Sequence, residues 1–176
     1  MKNFILIALC TIFCAFSANA QVAKMSSVYT NLKVDCKPES KVEADEVPFI
    51  CKAVGGFRVR IVPAGAWAEM IEIVDAQNKT AASLGTHGYG YSTAPKRMVE
   101  WRMANGKPFA VIFRINEYDQ EKASEAGDNP YTEKYKTGEK LIVRGLPGYS
   151  QIDFEVDAKE KNANVKAQNL ADENFQ

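Results

Sequence analysis

Histidine is almost missing from this chain: His87 is the one example in 176 residues. That count excludes a metal centre built from several histidines of one chain. Charge of one sign is missing too. Lys and Arg number 22 and Asp and Glu number 22, so no basic excess directs the protein to nucleic acid or to an anionic membrane. The sequence has no G-x-S-x-G nucleophile elbow and no G-x-G-x-x-G phosphate loop. It also lacks the dense acidic loop of an EF-hand. No catalytic residue, metal ligand or cofactor is therefore assigned. Beyond the N-terminus no apolar run approaches the roughly 18 residues that span a bilayer.

What is present begins at the N-terminus. Lys2 precedes an apolar stretch over residues 4–16, broken only by Thr11, and Ser17-Ala18-Asn19-Ala20 closes it with small residues. This pattern predicts a signal peptide, residues 1–20, cut between Ala20 and Gln21. Residues 21–176 are then expected as a single β-rich domain, periplasmic or secreted, with no membrane span after cleavage. Loss of Lys2 leaves that domain one acid in excess. Cys10 and Cys14 depart with the leader, and Cys36 and Cys51 stay. An even pair in an exported protein reads as a disulfide. Closing a loop of about 15 residues stabilises by roughly 3 kcal/mol in the chain-entropy model. The spacing fits neither a C-x-x-C redox pair nor a usual zinc site.

Period-two alternation dominates the rest and predicts strands. They are expected over residues 28–36, 49–53, 57–62, 67–74 and 80–84. In the third, Phe57, Val59 and Ile61 share one face and Arg58 and Arg60 the other. Residues 98–103 and 108–115 flank Asn105-Gly106, a strong hairpin signal because both residues tolerate positive φ. Phe109 to Phe113 contains no polar residue, so this strand is expected in the centre of a sheet. Trp101 is assigned to the core. Residues 116–138 read as a long flexible loop with one helical turn near residues 120–125. Two more strands, residues 140–146 and 151–157, follow. Ala163, Ala167, Leu170 and Ala171 then line one face of a C-terminal helix over residues 158–174, with Asp157 and Glu160 at capping-box spacing. The fold class is mainly β: an antiparallel β-sandwich or small barrel with a C-terminal α-helix and one disulfide.

Residues 85–96 are dense in Gly and Tyr and read as a loop, with His87 exposed in it. A Ser–His reading with Ser92 lacks an elbow and an orienting carboxylate. The candidate binding residues are His87, Tyr89 and Tyr91, presented from a rigid β scaffold. Trp67 and Trp101 are further aromatics for a stacking platform. Glu69, Glu72 and Asp75 lie near Trp67 in sequence. As a carboxylate pair for glycoside hydrolysis they are weak, because Glu69 and Glu72 point to opposite faces of a strand, and they read as solvated surface. Arg58, Arg60, Lys96, Arg97, Arg102 and Arg114 read as a solvated face paired with acids.

Tyr29-Thr30-Asn31-Leu32, Cys51 ahead of Gly55-Gly56-Phe57, Val99-Glu100-Trp101-Arg102, and the run from Gly106 to Arg114 occur in that order. In these features the chain resembles a family of small exported bacterial proteins of uncharacterised function. The resemblance covers most of residues 21–176. It implies a periplasmic or secreted single domain with one disulfide and supplies no catalytic residue. The leading expectation is a non-enzymatic binding module for an envelope protein or glycan, with inhibition of an enzyme as one version. The alternatives are a small envelope hydrolase using His87 or a carboxylate pair, and an envelope structural or assembly factor.

Overall fold

Two five-stranded antiparallel sheets make a sandwich-like structure in the computed structural model, which describes residues 23–39, 47–92, 94 and 97–175. The first sheet combines β1 (Met25–Asn31), β7 (Met98–Ala104), β8 (Lys107–Tyr118), β9 (Lys136–Gly145) and β10 (Asp153–Asp157), in the order β1-β7-β8-β9-β10. The second contains β2 (Cys36–Pro38), β3 (Phe49–Cys51), β4 (Arg58–Pro63), β5 (Ala68–Val74) and β6 (Thr80–Gly88), in the order β2-β3-β4-β5-β6. Three helices accompany them among the described residues: α1 (Leu32–Asp35), α2 (Gln120–Ala126) and α3 (Ala163–Glu173). The expected signal peptide lies outside the described residues. No helix among the described residues is long and apolar enough to cross a membrane.

The β7–β8 hairpin forms where Asn105-Gly106 predicts it. Asn105 has φ 50° and Gly106 φ 79°, the pair of positive angles that lets a two-residue turn follow the twist of its strands. β8 is the central strand, with both faces of Phe109 to Phe113 buried. Val111 and Phe113 point between the sheets, and Ile112 points the other way. A bulge shifts the register between Arg102 and Met103, so Phe109 joins Ala110 and Ile112 on the outer face.

Two cores result. Between the sheets, Val59, Ile61, Ile71, Ile73 and Leu84 meet Val99, Trp101, Val111, Phe113 and Ile142. The expectation for Trp101 holds: its ring is fully buried and its Nε1 donates to Thr30 Oγ1 at 2.8 Å, which satisfies the indole. On the outer face of the first sheet, α3 lays Ala163, Ala167 and Ala171 against Phe109, Ile112, Leu141, Val143 and Val156. Small side chains at four-residue spacing let the helix backbone approach the sheet closely.

Several local expectations are corrected. The first strand stops at Asn31 rather than reaching Cys36. Asn31 caps α1 by accepting from Lys33 N, and its own N donates to Asp35 Oδ2 at 2.8 Å. This one-turn corner carries the chain from the first sheet to the second. α3 starts at Ala163, five residues after the expected start. Asp157 instead accepts from Lys159 N at 2.8 Å, and Glu160 N donates to Asp157 O, so this pair builds a turn, not a capping box. The residue before α3, Asn162, is left-handed at φ 60° and gives no side-chain cap. The stretch 116–138 is largely regular: β8 extends to Tyr118, β9 begins at Lys136, and Asp119 caps α2 by accepting from Lys122 N. Asp119 N also donates to Tyr135 O at 2.8 Å, which ties the ends of the excursion together. Cys36 and Cys51 pair as the sequence predicts, as directly opposite residues of β2 and β3.

Candidate functional site

The aromatic segment after residue 84 is strand before it is loop. β6 runs to Gly88 as the edge strand of the second sheet, because Ala68, Glu69 and Met70 of β5 pair with Gly88, His87 and Thr86. The expected exposed loop histidine is therefore a core residue, 1% exposed. Glu69 lies opposite it in register and shares the inward parity of Ile71 and Ile73. His87 Nε2 donates to Leu84 O at 2.9 Å; a carbonyl only accepts, so the proton sits on Nε2. Nδ1 is then a bare acceptor, buried with no hydrogen-bond partner. Burial holds the imidazole's pKa down to about 4, and the charge of Arg97 pushes the same way.

Tyr91 is a second correction, since it is also buried. Its ring stacks on His87 with centroids 4.5 Å apart, and its hydroxyl donates to Arg114 O at 2.7 Å. The Arg97 guanidinium lies 3.9 Å from the Tyr91 centroid, and Phe113 meets both rings edge-on. Burial raises the phenol's pKa. Of the three candidate residues, His87 and Tyr91 thus belong to the layer between the sheets.

Tyr89 is different. Its N donates to Trp67 O at 2.8 Å, one rung beyond the Ala68–Gly88 pair. Opposite residues of an antiparallel ladder present their side chains on the same face. Tyr89 is 69% exposed and Trp67 50% exposed, so two large, solvent-facing aromatic residues occupy opposed positions at the end of β5 and β6. Tyr131 packs on Gly88 from the opposite face of the strand. A Cβ placed on Gly88 would meet Tyr131 Cβ at 2.5 Å, which is why the strand ends in a glycine. Tyr131 in turn meets Tyr118 edge-on at 5.5 Å, joining the end of β6 to the excursion after β8. Spacing did not single out Trp67 as the partner of Tyr89, because strand register sets that pairing.

The three carboxylates near Trp67 do not converge, and two are not solvated. Glu69 is buried and accepts from Ser92 N at 2.5 Å and Ser92 Oγ at 3.1 Å. Burial raises its pKa despite these bonds and one from the Gly90 amide. Its work is to hold the turn that returns Tyr91 to the core. Glu72 is buried on the outward face, where it accepts from Thr80 Oγ1 at 3.0 Å and faces Arg60 at 3.7 Å. Asp75 accepts from Gln77 N and Lys79 N and closes the β5–β6 turn. Ser92 Oγ is bonded to a carboxylate and His87 to a carbonyl, so the structure does not couple them as nucleophile and base.

The basic residues are divided between the two sheets, and the solvated reading is corrected for two of them: Arg102 is buried, and Arg97 lies over the Tyr91 ring with its Nε buried. Arg58 meets Asn78, Arg60 meets Glu39 and Glu72, Arg102 meets Asp172, and Arg114 meets Glu139. Lys96 lies outside the described residues. No group of three or more His, Cys, Asp or Glu among the described residues is placed to hold a metal ion. Comparison with protein-family models, curated proteins and solved structures gives no match.

Proposed function

We propose that the protein is a non-enzymatic binding module, exported to the periplasm or beyond, that contacts an envelope protein or glycan through Trp67 and Tyr89. The observation that carries this reading is the Tyr89–Trp67 backbone bond, which puts two exposed aromatic residues opposite each other at one end of β5 and β6. Trp and Tyr present large area with few rotors and are enriched where binding energy concentrates. The disulfide between β2 and β3 suits an oxidising compartment and supports export. Resemblance to small exported bacterial proteins agrees with this placement. In the inhibitor version, the same aromatics fill the cleft of a wall-degrading enzyme.

The test is retention of envelope components from the protein's own organism on the immobilised, oxidised protein, with mass spectrometry of what stays bound. The Trp67→Ala and Tyr89→Ala variants are expected to bind the retained species at least about tenfold more weakly. Val165→Ala, at an exposed position on α3, is expected to change nothing. Equal retention by all four proteins refutes the assignment to this surface.

A further inference from the structure

An edge strand presents main-chain N–H and C=O groups that no neighbouring strand uses, and it invites pairing with another chain unless something blocks it. Among the described residues the edges are β1 and β10 of the first sheet and β2 and β6 of the second. Three of these strands carry a block. β10 bears exposed Asp153, Glu155 and Asp157. β2 is three residues long and contains Lys37 and Pro38. β6 is broken by register shifts against β5 and by Gly85 at φ 94°. β1 carries none. Its seven residues, Met25–Asn31, include no charge, proline or glycine, and they pair with β7 without a register shift.

Register fixes which groups of β1 are free. Lys24 O accepts from Asn105 N at 3.1 Å, and Arg97 O accepts from Leu32 N at 3.0 Å. The pairs that exchange bonds with β7 therefore fall on even-numbered residues, because bonded and non-bonded pairs alternate along an antiparallel ladder. Met25, Ser27 and Tyr29 turn their N–H and C=O groups away from β7. The next in the row, Asn31, has its N taken by Asp35 Oδ2 at 2.8 Å, which ends the free row. Val28, 41% exposed, and Tyr29, 52% exposed, stand on opposite faces of this edge.

We propose that β1 pairs with β1 of a second copy of the chain, antiparallel about a two-fold axis through Ser27. This register uses the whole free row. Met25 lies opposite Tyr29 of the second copy, Ser27 opposite Ser27, and Tyr29 opposite Met25, each pair exchanging both main-chain bonds. The side chains match. Met25 packs on the outer-face core, and Tyr29 shares that face because it lies opposite Glu100, itself opposite Ile112. A thioether against an aromatic ring is a favourable contact. On the other face Val28 meets Ser26 of the second copy. No like charges oppose each other, since Lys24 falls opposite Thr30. The axis itself passes a small side chain, where two copies must share the space. A strand of a different protein needs no match within β1. Met25 and Tyr29 at equal distances from Ser27 favour a second copy. β1 is on the other sheet from Trp67 and Tyr89, so this proposal and the binding reading stand or fall separately.

The experiment is sedimentation equilibrium of the oxidised protein from about 1 μM to about 1 mM, with NMR of a mixture of isotope-labelled and unlabelled protein. A monomer–dimer equilibrium with a Kd of about 1–100 μM is expected. An intermolecular NOE between the Met25 methyl and the Tyr29 ring is expected in the mixture. Within one strand these residues stand about 13 Å apart, too far to give it. Tyr29→Pro removes an N–H that β7 does not use, so the variant is expected to fold and to dimerise at least about tenfold more weakly. Tyr29→Lys sets a charge on the edge and is the second probe, with the same expected loss. Trp67→Ala is expected to leave the dimer unchanged. A protein that stays monomeric to about 1 mM overturns the proposal, including one whose β1 is taken instead by a strand of another protein. A dimer without the Met25–Tyr29 NOE overturns it, and so does unchanged dimer affinity in a folded Tyr29→Pro or Tyr29→Lys protein.

Discussion

Acidification between neutral pH and about pH 5 is expected to destabilise this protein through one residue. His87 is the only histidine, so few other groups titrate in that window. In the folded state its imidazole is held neutral, with a pKa lowered from 6.5 to about 4, because the protonated ring would sit between Tyr91 and Phe113 beside the charge of Arg97. The unfolded chain takes up the proton first. Stability is therefore full above the unfolded pKa and falls as pH drops below it, until the folded pKa is passed. Working the linkage through gives a loss of about 2 kcal/mol from about pH 7 to about pH 5, and about 3 kcal/mol in all below the folded value. Glu69 acts in the opposite sense. Its raised pKa makes protonation favour the folded state as the pH approaches the carboxylate range, so it offsets part of the loss at the acid end. The assay is urea unfolding at a series of pH values, with the slope m checked for constancy. The drop is expected in the wild-type protein, flattened in His87→Phe, and steepened near pH 5 in Glu69→Gln. A wild-type change below about 0.5 kcal/mol over this window, or an equal slope in His87→Phe, refutes the reasoning.

Two further outcomes follow from the packing. Gly88→Ala drives a Cβ against Tyr131 and is expected to destabilise by about 1–3 kcal/mol, read as a lower urea midpoint at unchanged m. Thr30→Val keeps the volume but strands the buried Trp101 Nε1, for an expected loss of about 1–3 kcal/mol by the same measurement; a neutral result denies that the Thr30–Trp101 bond ties β1 to the core.

The strands were legible where alternation met a turn signal. Val59 and Ile61 against Arg58 and Arg60, and the two strands around Asn105-Gly106, carry both the period and the punctuation, and they fold as expected. The apolar run from Phe109 to Phe113 identified the central strand because only a strand covered on both faces has no use for polar residues. The segment around His87 misled for a physical reason. Gly85, Gly88 and Gly90 signal a loop, yet Gly88 is there for the approach of Tyr131, and β6 passes through it. Glu69 and Glu72 likewise look like surface residues, because sequence does not show that Ser92, Thr80 and Arg60 fold back to meet them.

The sequence by itself determined a mainly β chain with one disulfide and a C-terminal helix that carries an alanine stripe. Those are properties of local periodicity and of cysteine count, which act over a few residues. Tertiary structure alone decided which aromatics face solvent and which ionisable groups are buried. Tyr89 and Tyr91 are two residues apart, yet one stands beside Trp67 in the open and the other stacks on His87 in the core. Arg97 lies over the buried Tyr91 ring, whereas Arg114 meets Glu139. Burial and charge balance depend on partners distant in the chain, and register and the docking of α3 set those partners.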